Sequence, residues 1–148
     1  TNQNLHHYDL DLKYDHVKLE HRIKVCAVVM HLVCHRFNEG KPAYSPQQMH
    51  QITRIPQQLI NRAVNELLKA KLLVEIRLEK RGSFEESIVL HPIEKIDHLT
   101  YGVMIERLFT SGEDVAALAE LNQEWAMWKD IDLVNSTFVE SGSKIHFV

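Results

Sequence analysis

The order of signals between Ser45 and His91 predicts a mainly α-helical protein built on a winged helix-turn-helix, with a two-stranded β wing, a long N-terminal helix and extra C-terminal helices. Three observations carry this. A helix opened by Ser45-Pro46 runs to a Thr53-Arg54-Ile55-Pro56 break and a second, amphipathic helix. An apolar strand, a charged Gly turn and a returning strand follow at once. Ahead of them, a long run keeps apolar residues at helical spacing.

The 148 residues suffice for one domain of ordinary size with a real core, rather than two. Hydrophobic content of 45% and charged content of 25% are those of a soluble globular protein. A net charge of -3 and a pI near 6.3 give no whole-protein field that attracts polyanions, so nucleic-acid binding needs a local basic patch. The longest apolar run, Val25 to Met30, falls far short of the ~20 residues of a membrane span, so no direct membrane insertion is expected. No signal peptide is visible, and a chain beginning at Thr1 reads as cut from something longer.

Residues 1–15 are polar, with Tyr8, Leu10, Leu12 and Tyr14 alternating against Asp9, Asp11 and Lys13, and read as an arm or linker from a missing N-terminal region. His6, His7 and His16 beside the aspartates lack a ligand spacing that recurs downstream, so the segment is read as polar arm rather than metal site. The winged-helix domain is expected over 16–132. Its first helix, His16 to Asn38, carries the stripe Leu19, Ile23, Cys26, Met30, Val33 and Phe37, with a second apolar surface at Val25, Val28, Val29 and Leu32. A helix apolar on two sides must be covered on two sides. Cys26 and Cys34 are about 12 Å apart along that helix, too far to bridge, and read as reduced core thiols. His31 and His35 stand at i, i+4, but no second pair of ligands accompanies them, so a structural helix face is preferred. Gly40 stops the helix and Pro42 follows.

Ser45 caps the second helix, Pro46 takes its first position and Gln48 completes a capping box; Met49 and Ile52 face inward. The third helix turns Ile60, Ala63, Val64, Leu67 and Leu68 inward. Its opposite face carries Gln57, Gln58, Asn61, Arg62, Asn65 and Lys69, where a DNA-binding winged helix keeps its recognition residues. Leu72 to Leu78 and Ser87 to Leu90 form the wing around Glu79-Lys80-Arg81-Gly82-Ser83. A fourth helix starts near Asp97 and Thr100 and ends at Gly112. A fifth starts after Glu113 and Asp114, with a stripe of Leu118, Leu121, Trp125, Trp128 and Ile131. Residues 133–148, punctuated by Ser and Gly, read as a flexible tail.

No Gly-rich phosphate loop, nucleophile elbow, metal-binding helix or paired CxxC is present, so no catalytic residue, metal or cofactor is assigned. Amides suit adenine and Arg suits guanine, so Gln57, Gln58, Asn61 and Arg62 fit base edges, while Lys69, Lys71, Lys80 and Arg81 fit phosphates. Glu66, Glu79, Glu85 and Glu86 sit among them and weaken the counterion-release term. DNA binding therefore ranks second.

The runs Tyr14-Asp15-His16 through Glu20-His21-Arg22, Phe37-Asn38-Glu39-Gly40, Ile55-Pro56-Gln57-Gln58-Leu59-Ile60-Asn61, Glu66-Leu67-Leu68 and Leu72-Leu73-Val74 are suggestive. With the long apolar helix and Asp97 to Leu108, they resemble the C-terminal cytosolic domain of YihY/BrkB-family membrane proteins, over most of Tyr14 to Leu121. The resemblance implies an N-terminal membrane part and a domain on the cytoplasmic side of the inner membrane. It also brings a legacy label, ribonuclease BN, a tRNA-processing nuclease for which the chain lacks clustered His/Asp ligands. The leading expectation is a non-enzymatic interaction or regulatory domain of such a protein. Contacts with its own membrane part or a cytosolic protein would run through Gln58, Asn61, Arg62, Asn65, Lys80 and Arg81. A homodimer is expected through Val25, Val29, Leu118, Leu121, Trp125 and Trp128.

Overall fold

The computed structural model describes residues 14–79, 86–121 and 125–148. Helices α1 (Leu19–Asn38), α2 (Pro46–Thr53) and α3 (Gln57–Lys69) precede strands β1 (Leu73–Glu79) and β2 (Glu86–Pro92). Helices α4 (Tyr101–Thr110), α5 (Ala116–Leu121) and α6 (Met127–Gly142) follow, with 3-10 turns at Tyr14–His16 and Ile96–His98. This is the predicted mainly helical winged helix-turn-helix.

Local chemistry sets the boundaries. α1 ends where Gly40 takes a φ of 71°, which lets the Lys41 and Gly40 amides donate back to the Arg36 and Phe37 carbonyls at 3.0 Å each. The capping box of α2 forms: the Gln48 amide donates to Ser45 Oγ at 3.2 Å and the Ser45 amide to Gln48 Oε1 at 2.9 Å. Arg54 then turns the chain at a φ of 64°. Thr53 Oγ1 donates to the Met49 carbonyl at 2.7 Å and accepts from the Ile55 amide, while His50 Nδ1 donates to the Ile55 carbonyl at 2.6 Å. These three bonds satisfy the polar groups of the turn between α2 and α3, so α3 leaves it in a fixed direction.

α3 buries Leu59, Ile60, Ala63, Val64 and Leu67 and packs mainly on α1 and α2. β1 and β2 pair antiparallel, with Leu73 opposite Pro92, Ile76 opposite Val89 and Glu79 opposite Glu86. One core joins α1, α3 and the sheet to Leu99, Met104, Ile105 and Phe147.

Several expectations are corrected. Val25 and Val29, assigned to an association surface, are 8% and 1% exposed. The core that α3 and β2 form against α1 also takes in Met104 and Phe147, so the chain covers both sides of α1 by itself. Ile52, expected inward, is exposed, because the short α2 has only Met49 buried. The long fifth helix is described as two pieces, α5 and α6, with residues 122–124 outside the described set. The expected tail at 133–148 is instead helical to Gly142, and Phe147 is buried in the core. The Tyr101 amide donates to the Ile145 carbonyl at 2.9 Å, Thr100 and His146 form an antiparallel bridge, and His31 Nδ1 donates to the Phe147 carbonyl at 2.6 Å. Those bonds and the buried ring hold the last residues to α1 and to the start of α4. Of the arm at 1–15, residues 1–13 lie outside the described residues, as do Lys80 and Arg81 at the wing tip.

Candidate recognition surface

On α3, Gln58, Asn61, Arg62, Asn65 and Lys69 are all exposed, and Gln57 is half-buried at the first turn. Glu66, the one carboxylate of the helix, is half-buried at its edge, one turn after Arg62. The solvent side of α3 therefore presents amides and two cations without an exposed carboxylate. The amphipathic spacing produces this: with Ile60, Ala63, Val64 and Leu67 fixed inward, positions 58, 61, 62, 65 and 69 must face out.

Tyr14 sits beside that face. Its ring lies 5.1 Å from the Arg22 guanidinium carbon and 5.0 Å from that of Arg62, joining the first 3-10 turn, α1 and α3 through cation–π contacts. Burial, with Cys26 and Glu66 adding to it, pushes the Tyr14 hydroxyl up in pKa against the pull of the two guanidiniums. Arg22 Nε is buried there without a hydrogen-bond partner. Sequence reasoning missed this clamp, because an aromatic residue in a polar arm carries no local sign of what it will stack on.

At the far end of α3, a cleft of about 680 Å³ is lined by Lys69, Lys71, Glu94 and Arg107. Arg107 pairs with Glu94 and donates to the Lys71 carbonyl at 3.0 Å, holding Lys71 at a φ of 58° where α3 gives way to β1. Arg107 is thus a brace between α4 and the wing. On β1, Glu75, Arg77 and Glu79 are exposed beside Leu78. An apolar groove of about 390 Å³ runs between Phe37 and the sheet residues Ile76, Leu78 and Val89.

The histidine pair on α1 is engaged separately. His31 bonds the Phe147 carbonyl, whereas His35 Nδ1 lies 2.9 Å from Glu39 Oε1. Among the described residues no three His, Cys, Asp or Glu side chains are grouped to hold a metal. Burial pushes the Cys34 thiol up to about 11, and burial with Glu66 nearby pushes that of Cys26 to about 12, so both lie far from nucleophilic poise. Of the expected association residues, Leu118 and Trp125 are exposed and Leu121 is half-buried. Trp128 is half-buried, and its indole Nε1 is buried without a hydrogen-bond partner. No helix among the described residues is long and apolar enough to cross a membrane.

A helix-turn-helix followed by an antiparallel hairpin, with an exposed polar face on its second helix, defines a winged-helix domain. The solved structures agree: the chain is similar to the crystal structure of Staphylococcus aureus CymR, with a TM-score of 0.51 and 13% identity over 85% of this chain and 91% of that one. That likeness concerns the fold. No family model and no curated protein matches the chain.

Proposed function

We propose that this chain is a regulatory winged-helix domain that engages DNA through the exposed face of α3. The observation that carries the reading is the run Gln58, Asn61, Arg62, Asn65 and Lys69, all exposed with no exposed carboxylate between them. Amide and guanidinium groups are the side chains that bond adenine and guanine edges bidentately, and Lys69 and Lys71, exposed at the end of the helix, are suited to phosphates. The acidic balance of the whole chain makes the binding depend on this local face. The test is selection from a random duplex library followed by anisotropy titration at several salt concentrations. Enrichment of one motif is expected, with Arg62→Ala or Asn61→Ala lowering affinity for it by about 1–3 kcal/mol. No enriched motif, or affinity indifferent to both substitutions, would discard the reading.

A second reading is a protein-interaction domain of a YihY/BrkB-like inner-membrane protein, facing the cytoplasm. The sequence runs from Tyr14 to Leu121 and the exposed apolar side chains of α6 support it. The two readings part at the gene: several apolar spans of ~20 residues upstream of Thr1 would favour the membrane protein. Under either reading the domain works as a homodimer. Support comes from Ile131, Val134 and Phe138, which a single chain leaves 40%, 67% and 46% exposed on one helix.

A further inference from the structure

α6 carries Met127, Ile131, Val134, Phe138 and Ser141 at alternating spacings of four and three, the a/d pattern of a coiled-coil seam. The four apolar members are 49%, 40%, 67% and 46% exposed. The face that holds α6 to the domain lies beside them, where Gly142 meets the backbone of Gly102 and Val139 packs on the core; of the four, Phe138 reaches that face with one edge of its ring, 6.4 Å between centroids from Tyr101. We infer that α6 pairs antiparallel with α6 of a second copy about a two-fold axis near Thr137, an inference that rests on the homodimer reading above.

Charge complementarity selects both the occupant and its direction. With Met127, Val134 and Ser141 at d and Ile131 and Phe138 at a, the flanking g positions are Asp130, Thr137 and Lys144. Lys144 stands in the turn directly after α6, one residue past a C-cap Ser143 with right-handed dihedrals of −65° and −16°, so it continues the g row by position. Setting Val134 against the partner's Phe138 in an antiparallel pair brings Asp130 opposite the partner's Lys144. Symmetry repeats that pair, and Thr137 meets the partner's Thr137. A parallel pair would instead set Asp130 against the partner's Asn135, an uncharged amide. Asp130 and Lys144 have no ion-pair partner among the described residues of their own chain. Antiparallel packing also sets each helix N-terminus beside the other's C-terminus, which their dipoles favour. A helix of 16 residues gives a seam about 24 Å long, at the small end of specific interfaces, so association in the micromolar range is expected.

Sedimentation equilibrium on the full chain, from low to high micromolar, reads the association. A dimer is expected, Val134→Asp should abolish it, and Asp130→Lys or Lys144→Asp alone should each weaken it about tenfold. The double swap should restore it, since the two charges then exchange places. These positions are exposed, and an unchanged thermal melt of each variant at low concentration separates lost association from lost folding. Thr137→Cys should be captured as a covalent dimer by a short bis-maleimide, because Cys26 and Cys34 are buried. Failure of the double swap to restore, or capture through Val134→Cys but not Thr137→Cys, would overturn the antiparallel seam while leaving a homodimer standing. A monomer throughout would remove both.

Discussion

Cys26 and Cys34 lie on the inner side of α1, buried, and their thiols titrate far above the ordinary value near 9.0. In the unfolded chain they lose protons from about pH 9, whereas in the folded chain Cys34 holds its proton to about 11 and Cys26 to about 12. Between those limits the folded state binds more protons, so stability must fall as pH rises, by up to about 1.4 kcal/mol per thiol per pH unit. Denaturant titrations at pH 8, 9, 10 and 11 should show that decline, and Cys26→Ala should remove its share of the slope. An equal slope in the variant would mean that Cys26 is not shielded. The sequence indicated buried thiols from the stripe alone. It could not indicate that Glu66, forty residues on, would stand close enough to add to the shift.

At the scale of elements, α4 and α6 cross at Gly102 and Gly142. A Cβ at Gly102 would meet the Val139 carbonyl oxygen and come within 2.7 Å of the Ser143 amide nitrogen, both backbone atoms that cannot rotate aside. Only hydrogen side chains permit this approach. Gly102→Ala is therefore expected to separate the two helices and cost about 3 kcal/mol in urea unfolding; a loss under ~0.5 kcal/mol would show that the crossing has slack. Neither glycine stood out in the sequence, because each lies at a helix end where glycine is ordinary. The capping box of α2, by contrast, was legible because Ser45, Pro46 and Gln48 act within one turn. The fifth-helix stripe was ambiguous for a related reason. Leu118, Leu121, Trp125, Trp128 and Ile131 follow one helical phase, while Met127, Ile131, Val134 and Phe138 follow another, and Ile131 belongs to both. Periodicity cannot say which of two overlapping stripes faces the domain.

For the whole molecule, the C-terminal residues close the fold. Phe147 is 6% exposed in the same cluster as Met30, Val33 and Leu67, and its carbonyl accepts from His31 on α1. Phe147→Ala should cost about 3–5 kcal/mol, a core-cavity penalty rather than the small effect of trimming a tail. Thermal or urea unfolding checks it, and a variant as stable as the parent would return residues 145–148 to the status of a loose end. The same closure explains why α1 needs no second chain. The buried middle of its two apolar sides meets α3 and β2 together with Met104 and Phe147, while α6 keeps Met127, Ile131, Leu133, Val134 and Phe138 exposed.

What the sequence determined by itself was everything that acts over a few residues: the capped α2, the turn into α3, the alternating strands, and the outward set Gln58, Asn61, Arg62, Asn65 and Lys69. Helical and strand periods fix which side chains share a face, and caps fix where a face begins. The tertiary structure decided what each face meets. It turned Val25 and Val29 into core, drew Phe147 into it, set Tyr14 between Arg22 and Arg62, and left Met127, Ile131, Val134 and Phe138 only partly covered. An apolar stripe lowers its free energy equally against its own chain or another copy, so its pattern names the need for a partner but not the partner.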